Sequence, residues 1–177
     1  ILTFGPSAQA AQLEASKEFA KDVLVRHQIP TARATATATL NEAVKAIAGE
    51  YPTVLKFDGL AAGKGVAVCA SEKEAMDFLD EVFTQQRFGP GRVLVEQCLT
   101  GPEVSVFAAI VDDQYLIFTP ARDYKRAQDG DLGPNTGGMG AYSPAPVVDD
   151  AVHQRIMDEV IMPTVRGMAA EGNTYVG

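Results

Sequence analysis

Tryptophan is absent from this 177-residue chain, and cysteine and histidine occur twice each. Neither His27 nor His153 has a second His or Cys at ligand spacing, so both read as surface residues and no metal site is expected from them. Cys69 and Cys98 fall in apolar, strand-like segments and read as reduced packing residues, not as a disulfide or a metal pair. Basic charge is scarce, with 15 Lys and Arg against 23 Asp and Glu, a net charge of −8 and a pI near 4.7. That balance excludes a nucleic-acid surface, which needs a basic face, while a few local lysines can still hold a small anion. No apolar run approaches the ~18 residues of a membrane span. No charged-then-apolar leader opens the chain either, so the expected location is cytoplasmic, with no membrane partner. An initiator methionine is also missing. Ile1 to Phe4 is an apolar run and Tyr175-Val176-Gly177 stops where a strand could start, so a piece of a longer protein is expected.

What is present is the ordinary material of a globular domain, 46% hydrophobic and 21% charged. It suffices for one sizeable core or two small lobes sharing a sheet. The organising stretch is Pro52 to Ala70, PTVLKFDGLAAGKGVAVCA. Thr53 to Asp58 and Val66 to Ala70 have strand length and composition, and Gly59, Gly63 and Gly65 break them apart, which predicts a hairpin with a flexible tip. Alternation puts Lys56 on one face with Val54 and Asp58, and Leu55 and Phe57 on the other. A loop with few side chains lets backbone N–H groups close on an anion, and Lys64 adds a point charge, so phosphate is the natural guest. The pattern is not a P-loop, because Gly65 follows Lys64 and a strand comes next. A structural turn is the plain alternative.

Elsewhere the periodicities are conventional. Ala8 to His27 predicts one helix, or two broken near Ser16, with Ala15, Phe19 and Val23 inward and Lys17 as a solvated surface lysine. The Ala/Thr alternation from Thr31 to Thr39 suits an extended connector or an edge strand. Thr39 with Glu42, and Ser71 with Glu74, form capping boxes; the second opens a helix with Ala75, Phe78, Leu79 and Val82 along one stripe. Arg92 to Leu99, Glu103 to Val111 and Gln114 to Thr119 read as strands. Pro120 to Pro146 is a long polar glycine-rich loop, functional or disordered. Asp149 or Asp150 then caps a helix through Val152, Ile156 and Val160, which Pro163 kinks or restarts and which frays from Gly167 to Gly172. This layout is α+β, with two sheets meeting at a cleft.

Two segments carry a resemblance that covers nearly the whole chain. KFDGLAAGKGVAV resembles the mobile flap of ATP-grasp ligases, and DYKR followed by DGDLGPNTGGMGAYSPAP resembles the signature region of the phosphoribosylamine–glycine ligase family. The resemblance implies an ATP-grasp fold, two α+β lobes with a nucleotide cleft between antiparallel sheets, incomplete at both ends. It divides the chain into a connector and helix over 1–34 leading from an amino-terminal domain, a small lid subdomain over 35–100 and a partial large subdomain over 101–177. The remaining domains of the same enzyme are then its partners.

The same resemblance implies roles residue by residue. Lys17, Lys56, Gly63, Lys64 and Gly65 belong to the ATP phosphates; Glu96, Gln97 and Leu99 lie in the hinge strand that reads adenine; Glu103 takes the ribose hydroxyls. From the residues alone, Glu96 and Glu103 would be ordinary strand-end surface acids. Lys125 reaches the γ-phosphate, Asp123 holds the glycine amine or orients Lys125, and Asn135, Thr136, Gly137, Gly138 and Met139 form the substrate loop for glycine or phosphoribosylamine. Arg126 is a weaker phosphate candidate, and Tyr124 stands where the family usually has His. Magnesium is implied, with ligands beyond Gly177, so the piece alone is expected not to turn over. The implied reaction joins glycine to 5-phosphoribosylamine through glycyl phosphate, releasing ADP and phosphate in purine synthesis. Alternatives are another ATP-grasp carboxylate–amine ligase and a non-catalytic nucleotide-binding module.

Overall fold

Alternating burial along Thr53–Phe57 organises the amino-terminal half of the chain: Thr53, Leu55 and Phe57 are buried while Val54 and Lys56 are half-buried. The computed structural model describes residues 4–59, 61, 64–112, 114–130 and 132–177, without the side chains of 134 and 135. Two compact units result, one of Ala11–Thr100 and one of Ile1–Ala10 with Gly101–Gly177.

In the unit Ala11–Thr100, strands β1 (Ala34–Thr37), β2 (Thr53–Phe57), β3 (Val66–Cys69) and β4 (Val93–Gln97) form an antiparallel sheet in the order β1-β4-β2-β3. The Ala/Thr segment is thus an edge strand. Helices α3 (Leu40–Ile47) and α4 (Glu72–Phe83) cover one face, where Leu55, Phe57, Val93 and Val95 meet Ala43, Ile47, Phe78, Leu79 and Val82. Leu55 and Leu79 are fully buried, each contributing about 2 kcal/mol. Both predicted caps form: Thr39 accepts from the Glu42 N–H and Ser71 from the Glu74 N–H. The reciprocal carboxylates reach one residue further back than in the usual box, accepting from the Ala38 and Ala70 amides at 2.7 and 2.8 Å.

The opposite face carries the first helical run. That run is two helices, α1 (Gln12–Ala15) and α2 (Lys17–Arg26), separated at Ser16, whose extended backbone (φ −124°, ψ 118°) caps α2 by accepting from the Phe19 N–H. Val23 is its buried anchor.

Phe57 needs glycine around it. A methyl group on Gly91 would fall on the Phe57 ring, and one on Gly65 would lie 2.7 Å from the Ala61 Cβ. Gly91→Ala is therefore expected to lower stability by about 1–3 kcal/mol through overpacking, read from denaturant midpoints at unchanged slope. Cys69 and Cys98 are both free, as expected. Cys69 is buried, and that burial, with the Glu74 carboxylate adding to it, pushes its thiol from an ordinary value near 9 up to about 11. Between those values the unfolded chain loses this proton and the folded chain keeps it, so the thiol's contribution to stability is full below pH 9 and is lost as pH rises towards 11. Alkylation at pH 8 followed by peptide mapping should label Cys98 and leave Cys69 unmodified until denaturant is added.

In the unit containing Gly101–Gly177, β5 (Ala108–Val111) pairs with β6 (Gln114–Ile117). The chain end joins them: Val176 bridges Val111, and Gly177 and Ile110 exchange both backbone hydrogen bonds. The strand expected over Glu103 to Val111 is shorter than the sequence suggests. Phe118 donates to Phe107 and Ser105 pairs with Ala121, a one-residue slip across a stretch where Pro120 has no N–H to give.

The expected loop Pro120 to Pro146 is a structured ribbon. β7 (Arg122–Asp123) pairs with β10 (Ala141–Tyr142), and nested inside them β8 (Arg126–Gln128) pairs with β9 (Leu132–Asn135). Asp129-Gly130 begins the turn, with Gly130 at φ 73°. Asp149, not Asp150, caps the last helix by accepting from Val152 at 2.8 Å. α5 (Asp150–Ile156) runs into a π-helical stretch, Met157–Ile161, and then α6 (Met162–Ala170). α6 opens with Pro163 in its first turn, as the expected restart requires, and the wider turn ahead of it, with the Met162 N–H donating to Met157, absorbs the missing donor. Gly167 is buried inside α6 and does not fray it. Among the described residues no helix is long and apolar enough to cross a membrane.

Candidate functional site

In the unit Ala11–Thr100, β2 projects Lys56 from the face opposite the core, and β4, paired beside it, sets Glu96 across from Val54 and Ala34. The Glu96 carboxylate is 4% exposed and takes one ammonium on each oxygen, Lys56 at 2.6 Å and Lys21 at 3.2 Å. A buried anion at this position requires such partners, and an ordinary strand-end acid it is not. Lys21 also donates to the Thr31 hydroxyl (2.7 Å) and the Ala32 carbonyl (2.8 Å). Lys17 stands one turn before Lys21 on α2 and donates to the Gly59 carbonyl at 2.9 Å, so it is not a solvated surface lysine. Lys17, Lys21, Lys56, Glu96, Gly59 and Gly65 line a groove of about 620 Å³.

The start of α2 is tied to the root of the glycine loop. Asp58 accepts from the Lys17 and Glu18 amides at 2.6 and 3.2 Å and from the Ser16 hydroxyl at 3.1 Å. Its carboxylate satisfies the otherwise unpaired N–H groups of the first turn. In the loop, Lys64 is exposed and Gly65 buried. Gly63 lies outside the described residues. Gly65 is a packing glycine, since Ala61 and Phe57 occupy the space a side chain would need. Gln97 and Leu99 are exposed where β4 ends, and Cys98 between them is half-buried. The structure thus brings Lys17, Lys56, Gly65 and Glu96 together. Lys21 and Asp58 complete the group; the signals for them in the sequence are the i, i+4 spacing of Lys21 from Lys17 and the two-residue period linking Asp58 to Lys56.

In the other unit, the ribbon assembles a second group. Lys125 pairs with Asp123 at 2.5 Å. The Lys125 carbonyl accepts from the Thr136 N–H (2.6 Å) and hydroxyl (2.9 Å), and the same hydroxyl oxygen accepts from the Gly138 N–H at 3.0 Å. Met139 donates to the Tyr124 carbonyl and Tyr124 to the Gly140 carbonyl, at 2.7 and 2.9 Å. Asp123, Lys125 and the segment Thr136 to Met139 therefore share one hydrogen-bonded strip, with Asn135 ending β9 beside it. Gly138 and Gly140, at φ 134° and 156°, adopt backbone open mainly to glycine. Tyr124 packs on Tyr142, ring centroids 5.9 Å apart, with the Arg122 guanidinium 5.4 Å from its ring. Arg126 is engaged by the Gly133 carbonyl at 2.6 Å. Glu103 is exposed and precedes the Ser105 bridge. Among the described residues no group of three or more His, Cys, Asp or Glu side chains could hold a metal ion.

Residues 15–177 match the family model described as phosphoribosylglycinamide synthetase, ATP-grasp (A) domain. The chain is 50% identical over 180 residues to the phosphoribosylamine–glycine ligase of Yersinia pestis, covering 100% of this chain and 42% of that protein. Against the enzyme of the same name from Vibrio cholerae serotype O1 it is 53% identical over 178 residues, covering 98% and 41%. The crystal structure of phosphoribosylamine–glycine ligase from Thermotoga maritima superposes with a TM-score of 0.89 at 35% identity, over 98% of this chain and 45% of that one. A carboxyaminoimidazole ribonucleotide synthase from Aspergillus clavatus, solved in complex with ATP, shares the fold at TM-score 0.70 and 21% identity, over 98% and 41%. The chain spans 41–42% of the length of these curated relatives.

Proposed function

The chain belongs to the phosphoribosylglycinamide synthetase ATP-grasp (A) domain family, and on that premise we propose that it is the nucleotide-binding portion of a ligase joining glycine to 5-phosphoribosylamine in purine synthesis. The observation that carries the reading is the groove of the first unit, whose lining sets Lys17, Lys21 and Lys56 against the carboxylates of Glu14 and Glu96, the last two lysines paired with the buried Glu96. Such a surplus of fixed positive charge suits a polyphosphate.

Lys17 and Lys56 are assigned to the phosphates of ATP, and Gly63, Lys64 and Gly65 to the loop that closes over them. Backbone groups of Glu96, Gln97 and Leu99 are assigned to the adenine edge, and Glu103 to the ribose. Lys125 neutralises charge on the transferred phosphoryl group, Asp123 holds Lys125 or the glycine amine, and Asn135, Thr136, Gly137, Gly138 and Met139 position the acceptor substrates. The glycine carboxylate attacks the γ-phosphorus, breaking its bond to ADP; the amine of phosphoribosylamine then attacks the acyl carbon of glycyl phosphate, and phosphate leaves as the amide forms. No protein nucleophile is required, because positioning and charge neutralisation do most of the work in phosphoryl transfer. Magnesium, which one or two carboxylates and the phosphates of the nucleotide usually hold, is proposed to take its protein ligands from the part of the full protein beyond Gly177. The proposed subdomain limits are 35–100 for the lid and 101–177 for part of the large lobe, with 1–34 leading in, and the proposed location is the cytoplasm.

Coupled ADP release by the complete polypeptide tests the reading. ADP is expected when both glycine and freshly made phosphoribosylamine are present. ADP release with a different carboxylate and amine pair, and none with these, would reassign the chain to another ligase of the same fold.

A further inference from the structure

The buried Glu96 carboxylate is shared by two cations of unlike freedom. Lys21 is pinned: besides Glu96 it holds the Thr31 hydroxyl and the Ala32 carbonyl, and its side chain is 16% exposed. Lys56 is 30% exposed, borders the groove, and meets Glu96 at the shorter distance of 2.6 Å. Each ammonium has its own carboxylate oxygen, so the two contacts do not exclude one another.

A buried carboxylate with a single counterion holds that ion firmly, because withdrawing the ion leaves the charge unpaired away from water. A second fixed cation removes most of that penalty. We propose that Lys21 is a positioning residue for the nucleotide: by sharing the buried Glu96 with Lys56, it loosens the Lys56–Glu96 pair enough for the Lys56 ammonium to turn to an incoming phosphate. The ion pair is then a latch, Lys21 sets its strength, and the helix carrying Lys21 is locked to the loop root through Asp58. This role presupposes the proposed contact of Lys56 with the nucleotide.

Binding of a non-hydrolysable ATP analogue to the complete polypeptide, measured by calorimetry without glycine, tests it in a double-mutant cycle. Lys21→Met is expected to raise the dissociation constant about tenfold in the parent and no more than about twofold in the Glu96→Gln background. Glu96→Gln serves only as the background: it removes the charge that the two lysines share while keeping the backbone of β4. Equal losses from Lys21→Met in both backgrounds would overturn the latch, since simple loss of charge needs no Glu96. Lys21→Arg, which keeps the cation beside Glu96, is expected to stay within about twofold of the parent, and a tenfold loss there would overturn the latch as well, even if Lys21→Met failed to fold. Lys56→Met separates the two levels: if it leaves affinity unchanged, the Lys56 contact itself is wrong, whereas if it weakens binding and Lys21→Met does not, only the role of Lys21 falls.

Discussion

Lys125→Ala in the complete polypeptide should lower the rate of glycine-dependent ADP formation about a thousandfold while leaving the affinity for ATP within about threefold, because the contact proposed for Lys125 is with the phosphoryl group in transfer. The structure gives a reason to expect a clean effect. The Lys125 side chain pairs with Asp123, but its backbone carbonyl, not its ammonium, holds Thr136 in place. Truncating the side chain therefore spares the bonds that order the ribbon. Asp123→Ala should follow the same pattern with a smaller loss, about a hundredfold, since it frees Lys125 without removing it. Nucleotide titration and steady-state rates on each variant separate the two parameters. A fall in ATP affinity as large as the fall in rate would contradict this division of roles.

Lys56→Ala should do the reverse, weakening ATP binding about a hundredfold. Two effects compete. Removing Lys56 takes away a proposed phosphate contact, and it also leaves Glu96 buried with one partner fewer. Breaking a fully buried pair can destabilise a protein by about 3–5 kcal/mol. Here Lys21 stays at 3.2 Å, so the stability loss should be well below that range and the binding loss should dominate. Thermal unfolding without ligand, run beside the binding titration, distinguishes them: unchanged affinity with a large loss of melting temperature would make Lys56 a structural residue.

Much of this was legible in the residues. The strand alternation of Thr53 to Phe57 named the face of Lys56 correctly, and the break at Ser16 and both caps follow from local chemistry that needs no tertiary context. What escaped was set by distant partners. Glu96 looks like a surface acid until α2 brings Lys21 over it, and Lys17 looks solvated until the Gly59 carbonyl arrives from forty-two positions away. The ribbon from Arg122 to Tyr142 was hidden because its strands are two to four residues long, too short for periodicity to register; only Asp129-Gly130 marked its turn. In the glycine loop the sequence pointed to phosphate, whereas the packing around Gly65 adds a steric reason that composition does not show.

Carboxylate activation of glycine is the claim on which the functional reading stands. Glycine labelled with ¹⁸O in both carboxylate oxygens, turned over by the complete polypeptide with ATP and phosphoribosylamine, should pass one labelled oxygen into each inorganic phosphate released. Phosphate that carries no label, formed while ADP accumulates, would show that glycine never attacks the γ-phosphorus and would contradict the account.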